Sequence, residues 1–176
     1  MGSDALAVPA RTAAYIEAHG LLTPGQRVVV GLSGGVDSVV LTRTLVVLGY
    51  DVIAVHVDHG QRDQSATDDA TFAEALAEEL GLGFRLIRLD LGHSTANLEA
   101  RMRAARYDAL HAAAREARAD AVAVGHHRDD QLETVLLNLL RRSGLRGLAG
   151  IRPARSLPPG SNLRLLRPLP RLPRPP

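Results

Sequence analysis

The chain has 176 residues and is 45% hydrophobic, enough to build one ordinary domain around a buried core. All 21 of its basic residues are arginine, and it contains neither lysine nor cysteine. These absences exclude a lysine-dependent phosphate loop, Schiff-base catalysis, disulfides, cysteine-held zinc or iron–sulfur centres and a thiol nucleophile. The net charge of +2 hides an uneven split: residues 141–176 carry nine arginines and no acid, whereas the remaining twelve arginines stand against 19 acids. A basic end on an acidic body suits a polyanionic partner, although arginine- and proline-rich ends are also found simply solvated. No apolar run approaches the roughly 18 residues needed to cross a bilayer, and the start lacks a basic segment followed by an apolar one. The expectation is a soluble, cytoplasmic protein that makes no use of a membrane.

Taken in chain order, Thr12 to His19 reads as a short helix ended by Gly20, within a lead-in of residues 1–26. Arg27–Leu32, Asp51–Val57, Phe84–Leu89 and Ala121–Gly125 are short, nearly continuous apolar runs, the pattern of strands buried on both faces. Between them, Asp37–Leu48, Ser65–Leu80 and Asn97–Arg118 have helical period. In the last of these, Leu98, Met102, Ala105, Ala109 and Ala112 recur at steps of four and three and predict the apolar face. Leu132, Val135, Leu136, Leu139 and Leu140 repeat that pattern after the fourth strand. Alternation of this kind predicts an α/β fold: an open, mainly parallel twisted sheet with helices on both faces, over residues 27–155. From Pro153 onward, eight prolines fall within 24 residues. Residues 156–176 therefore read as a Pro/Arg-rich tail, expected to be a linker, an arm or the cut end of something longer, in which only Asn162–Arg167 suits an added strand.

The sharpest local feature is Ser33-Gly34-Gly35-Val36-Asp37-Ser38, which leaves a predicted strand and enters a predicted helix. Adjacent glycines permit positive φ and close backbone approach, so successive N–H groups can converge on an anion at a helix N-terminus. Ser33 and Ser38 add hydroxyls. Asp37 is itself an anion, and it suits a phosphate site only if Mg²⁺ lies between them. The alternative is a tight turn in which Asp37 merely favours the helix dipole.

Three further segments carry chemistry. Val57-Asp58-His59-Gly60 ends the second predicted strand, where it either faces a ligand or turns the chain. Glu99, Arg103 and Arg106 fall on one flank of the third predicted helix, as guanidinium groups oriented by a carboxylate or as an ordinary surface pair. His126-His127-Arg128-Asp129-Asp130-Gln131-Leu132-Glu133-Thr134 follows the fourth strand. Asp130 with Glu133 has the spacing of a capping box, and equally places carboxylates where an ammonium group or a second Mg²⁺ would sit.

The segment SGGVDS matches the pyrophosphate loop of the N-type ATP pyrophosphatases. Together with VDHGQR, NLEARMRAARY, GHHRDDQLET and LLRRSGLRGLAGI, in that order and spacing, it resembles the tRNA(Ile)-lysidine synthetases over residues 25–155. Arg142 stands where that family usually has glycine, and family members continue past the RPL segment matched by Arg167-Pro168-Leu169.

The resemblance implies a PP-loop ATPase fold and a ligase that uses ATP and Mg²⁺. Its partners would be L-lysine and an isoleucine tRNA with a CAU anticodon, with a homodimer left open. It implies that Ser33, Gly34, Gly35, Val36, Asp37 and Ser38 bind the nucleotide and that Asp37 holds the metal. Arg103, Arg106, His126, Asp130 and Glu133 would join Asp37 in catalysis. Another PP-loop enzyme with a different acceptor, or an ATP-binding module without turnover, are the alternatives.

Overall fold

The computed structural model describes residues 3–58, 64–89, 97–125, 153–158 and 160–169. Six strands form one sheet in the order β3-β2-β1-β4-β6-β5: β1 (Arg27–Gly31), β2 (Asp51–Asp58), β3 (Gly83–Arg88), β4 (Ala121–Val124), β5 (Ala154–Ser156) and β6 (Arg164–Leu166). All neighbouring pairs are parallel except β5 with β6. The parallel α/β expectation holds, and the first four strands fall within a residue or two of the runs read from sequence. Helices α1 (Ser3–Ala18), α2 (Val36–Val47), α3 (Gln64–Glu79) and α4 (Leu98–Glu116) supply the layers.

Alternate residues of each strand serve opposite faces. Val28 and Val30 pack with Ile16, Leu21, Leu41 and Leu45, so α1 and α2 cover one face. On that same face α3 adds Ala73, Leu76 and Ala77 against Ala54. Val29, Val55, Val122, Val124 and Leu165 point the other way, against Tyr107, Leu110, Ala113 and Ala114 of α4. The chain therefore winds outward from β1 to β3 over one face and returns to β4 over the other. The reversal of strand order falls between β1 and β4, which are hydrogen-bonded neighbours with Gly31 opposite Val124.

Two local outcomes differ from the sequence reading. Helix α1 begins nine residues earlier than Thr12 and contains Pro9. In this alanine-rich segment, helix propensity outweighs the one backbone hydrogen bond that the proline cannot make. The buried face of α4 is also not the predicted stripe: Tyr107, Leu110, Ala113 and Ala114 are buried, while Ala112 is exposed. That is a rotation of roughly 130° about the helix axis. Alanine buries too little area to set a face, and the bulk of Tyr107 and Leu110 decides it.

Helix α2 is also held by packing rather than by propensity. Seven of its twelve residues are valine or threonine, which are indifferent helix formers, yet Leu41, Thr42, Thr44 and Leu45 are buried beneath it. At the far end of the sheet, Arg164 of β6 donates to the carbonyl oxygens of Gly20 (3.0 Å) and Leu21 (2.5 Å), fastening the segment after α1 to the strand that carries Leu165 and Leu166. These two leucines, from the proline-rich segment, are fully buried in the same sheet.

Candidate anion-binding site at the carboxyl edge of the sheet

In an open α/β sheet, ligands collect beyond the carboxyl ends of the strands where the strand order reverses. Here that point lies between the ends of β1 and β4, and Ser33–Ser38 occupies it. Leu32 is anchored by its N–H to the carbonyl of Val55 (2.9 Å). The carbonyl of Leu32 accepts a hydrogen bond from Nδ1 of the buried His56 (2.8 Å), so β2 supports the loop from beneath. Ser38 then closes the loop: its Oγ donates to the carbonyl of Gly35 (2.7 Å) and accepts from the N–H of Ser33 (3.2 Å). Its N–H also reaches Gly35 O (3.0 Å), and Val39 N–H reaches the same oxygen (3.2 Å). The Oγ atoms of Ser33 and Ser38 are 3.3 Å apart.

The two glycines have different roles. Gly34 has φ +85°, and a Cβ there would lie 2.8 Å from Oδ1 of Asp69 on α3. Gly35 has φ −67° and ψ 148°, ordinary extended backbone, and is the N-cap of α2 with no side-chain cap. With no side-chain cap there, the positive end of the helix dipole faces whatever binds in front of the loop. Asp37 lies in the first turn of α2. Across the gap, Gly125 at the end of β4 presses on the loop so closely that a Cβ would sit 2.8 Å from the carbonyl carbon of Asp37 and from the amide nitrogen of Ser38. The strand-ending glycine is visible in the sequence. Only its position next to the reversal points to its role.

The remaining site residues are distributed as follows. Asp58 ends β2, half-buried, with Arg88 Nε 3.9 Å from its Oδ2. Arg103 and Arg106 lie on α4 and face Tyr107, with their guanidinium carbons 5.7 and 5.6 Å from its ring centre. Among the described residues Glu99 forms no ion pair with Arg103. His59, His126, His127, Asp129, Asp130, Glu133 and Arg142 lie outside the described residues. Sequence reasoning does not single out Arg155 or Arg167 as site residues. Arg155 of β5 stacks 4.8 Å from the Tyr107 ring, and Arg167 hydrogen-bonds to the Tyr107 hydroxyl.

Burial alone would raise the Tyr107 pKa. The charges of Arg103, Arg167 and Arg106, with the Arg167 hydrogen bond, outweigh burial and hold it below the usual phenol value. For Arg167, burial lowers the pKa, Tyr107 opposes this, and the like charges of Arg155 and Arg103 add to the lowering.

The donor set around the loop is entirely oxygen: the Asp37 carboxylate and the hydroxyls of Ser33 and Ser38. This is the chemistry that Mg²⁺ prefers. Among the described residues no group of three or more histidine, aspartate or glutamate side chains gathers to hold a metal, so a metal here would need ligand oxygens from a bound phosphate.

A glycine-rich loop at the strand-order reversal of a doubly wound sheet places the chain in a class of α/β domains whose loop geometry suits an anionic ligand. The chain belongs to the PP-loop domain family, whose sequence profile matches residues 9–175. Its relatives include proteins named tRNA(Ile)-lysidine synthase. The one from Symbiobacterium thermophilum is 41% identical over 166 residues, covering 90% of this chain and 34% of the relative. That from Novosphingobium aromaticivorans is 44% identical, covering 84% and 45%, and that from Solibacter usitatus is 47% identical, covering 76% and 30%. The chain thus spans less than half the length of these relatives. Among solved structures, the NH3-dependent NAD synthetase from Campylobacter jejuni superposes with a TM-score of 0.56 at 17% identity, over 72% of this chain and 58% of that one. The NMN synthetase from Francisella tularensis gives 0.53 at 18%, over 68% and 53%. Both likenesses concern the fold. No helix among the described residues is long and apolar enough to cross a membrane.

Proposed function

We propose that this chain carries the adenylating site of a ligase that joins lysine to C2 of the wobble cytidine in a CAU-anticodon tRNA(Ile), converting ATP to AMP and pyrophosphate. The observation that carries this reading is the breadth of the likeness to the lysidine synthases: 41% identity over 166 residues extends well beyond the loop that PP-loop domains share. ATP phosphates would lie on Ser33–Ser38, where the α2 amides and helix dipole meet negative charge. Asp37, with the Ser33 and Ser38 hydroxyls, would hold Mg²⁺, which when bound offsets phosphate charge in a site that has no lysine.

In the first half-reaction the C2 oxygen of cytidine bonds to the α-phosphorus and pyrophosphate leaves. Arg103 and Arg106 are the cations assigned to the charge that develops on the phosphoryl oxygens. In the second, the ε-amine of lysine bonds to C2 and AMP leaves with the oxygen. That amine must be neutral to attack, so a carboxylate to bind it and a base to take its proton are needed. Asp130, Glu133 and His126 are assigned these roles from the sequence.

The test is incubation with ATP, Mg²⁺, labelled lysine and CAU-anticodon tRNA. The expected result is label in the tRNA, and Asp37→Asn abolishes both label and pyrophosphate release. Pyrophosphate release without label would mean another acceptor, and nucleotide binding with neither would mean a module without turnover. Normal turnover in Asp37→Asn would refute its role as metal ligand.

A further inference from the structure

The arginines around Tyr107 come from three elements. Arg103 and Arg106 lie on α4, Arg155 on β5, and Arg167 one residue beyond β6. Their convergence follows from the topology. Arg155 stands opposite Leu165 in the β5–β6 pairing, and Leu165 belongs to the cluster packed against α4, so Arg155 shares that face. Arg167 is two residues past Leu165 and returns to the same face at the carboxyl end of β6. Leu110 of α4 packs at the level of Gly31 and Val124, the last residues of β1 and β4, and Tyr107, Arg106 and Arg103 lie successively farther toward the carboxyl edge.

Four guanidinium groups therefore surround one buried phenol beside the edge that carries the loop, but on the opposite face of the sheet from α2. None of the ion pairs formed among the described residues involves Arg103, Arg106 or Arg155. The ring offers its π-face to these three and its hydroxyl to Arg167, so the phenol orders Arg103, Arg106 and Arg155 without neutralising them. Like charges held this close repel one another, and an anion between them relieves the repulsion. Arginine's planar fork matches phosphate oxygens in particular.

We propose that Arg103, Arg106, Arg155 and Arg167 form a phosphate-binding site, ordered by Tyr107, on the α4 face of the sheet. The involvement of Arg103 and Arg106 in phosphate chemistry rests on the function proposed above. The addition of Arg155 and Arg167 rests on geometry. The phosphate comes either from a polynucleotide backbone or from a free di- or triphosphate, and both present the same oxygens.

The test measures binding of two probes, inorganic pyrophosphate and a 12-nucleotide oligouridylate, to the full chain without ATP, lysine or tRNA. Arg155→Gln is the main variant because Arg155 is only half-buried, and an unchanged Tm shows that it folds. Its affinity for one probe falls about tenfold, and the probe affected names the source of the phosphate. For the oligonucleotide, the slope of log K against log salt also becomes shallower by about 0.7 per lost contact. Arg115→Gln, exposed on the last turn of α4, retains wild-type affinity. A second readout is the Tyr107 phenol, followed by ultraviolet titration against Tyr107→Phe: saturating probe moves its ionisation up toward the ordinary phenol value. Unchanged affinity for both probes in Arg155→Gln, or an equal loss in Arg115→Gln, overturns the site. Either result leaves the lysine-transfer assay to stand or fall separately.

Discussion

Gly34, Gly35 and Gly125 are alike in the sequence and unlike in the structure. At Gly34 a side chain would meet both a left-handed backbone and the Asp69 carboxylate, which has some freedom to move. At Gly125 it would meet the backbone of Asp37 and Ser38, which cannot move without displacing the start of α2. At Gly35 the nearest group is Ser33 Oγ, 3.5 Å away, and φ is ordinary. Gly125→Ala and Gly34→Ala are each expected to destabilise the fold by about 1–3 kcal/mol. Gly35→Ala should cost appreciably less. Urea midpoints for the three variants check the order, and an equal effect at Gly35 would contradict the loop geometry. The chain pattern alone reveals that glycine is present. Which glycine is required depends on what approaches it: Asp69 of α3 at Gly34, and the backbone at the start of α2 at Gly125. Each contact joins segments that are distant in the chain, so no local pattern in the sequence records either one.

At the scale of elements, the strands are the most legible feature. Runs such as Val28-Val29-Val30 and Ala121-Val122-Ala123-Val124 are apolar on both faces and admit few alternatives. Strand β5, with the sequence Ala-Arg-Ser, is not legible, because its strand character comes from pairing with β6 rather than from its own residues. The face of α4 eludes a sequence reading for a related reason: an alanine stripe shows helical period without showing which side is buried. Arg164 illustrates a contact that ties elements together. Its bonds to the carbonyls of Gly20 and Leu21 hold the end of α1 against β6. Arg164→Ala is expected to cost about 1–3 kcal/mol and to speed proteolysis within α1 while leaving β1–β4 protected. Uniform loss of protection across the chain would show that α1 does not open separately.

At the scale of the whole molecule, the split in charge takes on structural meaning. Three of the nine arginines in the basic end are described, and all three are engaged with the domain: Arg164 with backbone carbonyls, Arg155 and Arg167 with Tyr107. The described stretches of that end therefore add two strands, Ala154–Ser156 and Arg164–Leu166, to the sheet. The adjacency of β1 and β4 has a further consequence. Because these strands are joined by backbone hydrogen bonds through the centre of the sheet, the loop after β1 and the glycine after β4 keep a fixed spacing without any hinge between them. Amide hydrogens of Val29, Val30, Val122 and Ala123 should then exchange only when the whole domain unfolds, whereas those of the three-residue edge strand β5 should exchange through smaller openings. Whatever binds at the carboxyl edge, the two central strands therefore act as a fixed frame that holds Gly31 and Val124 side by side.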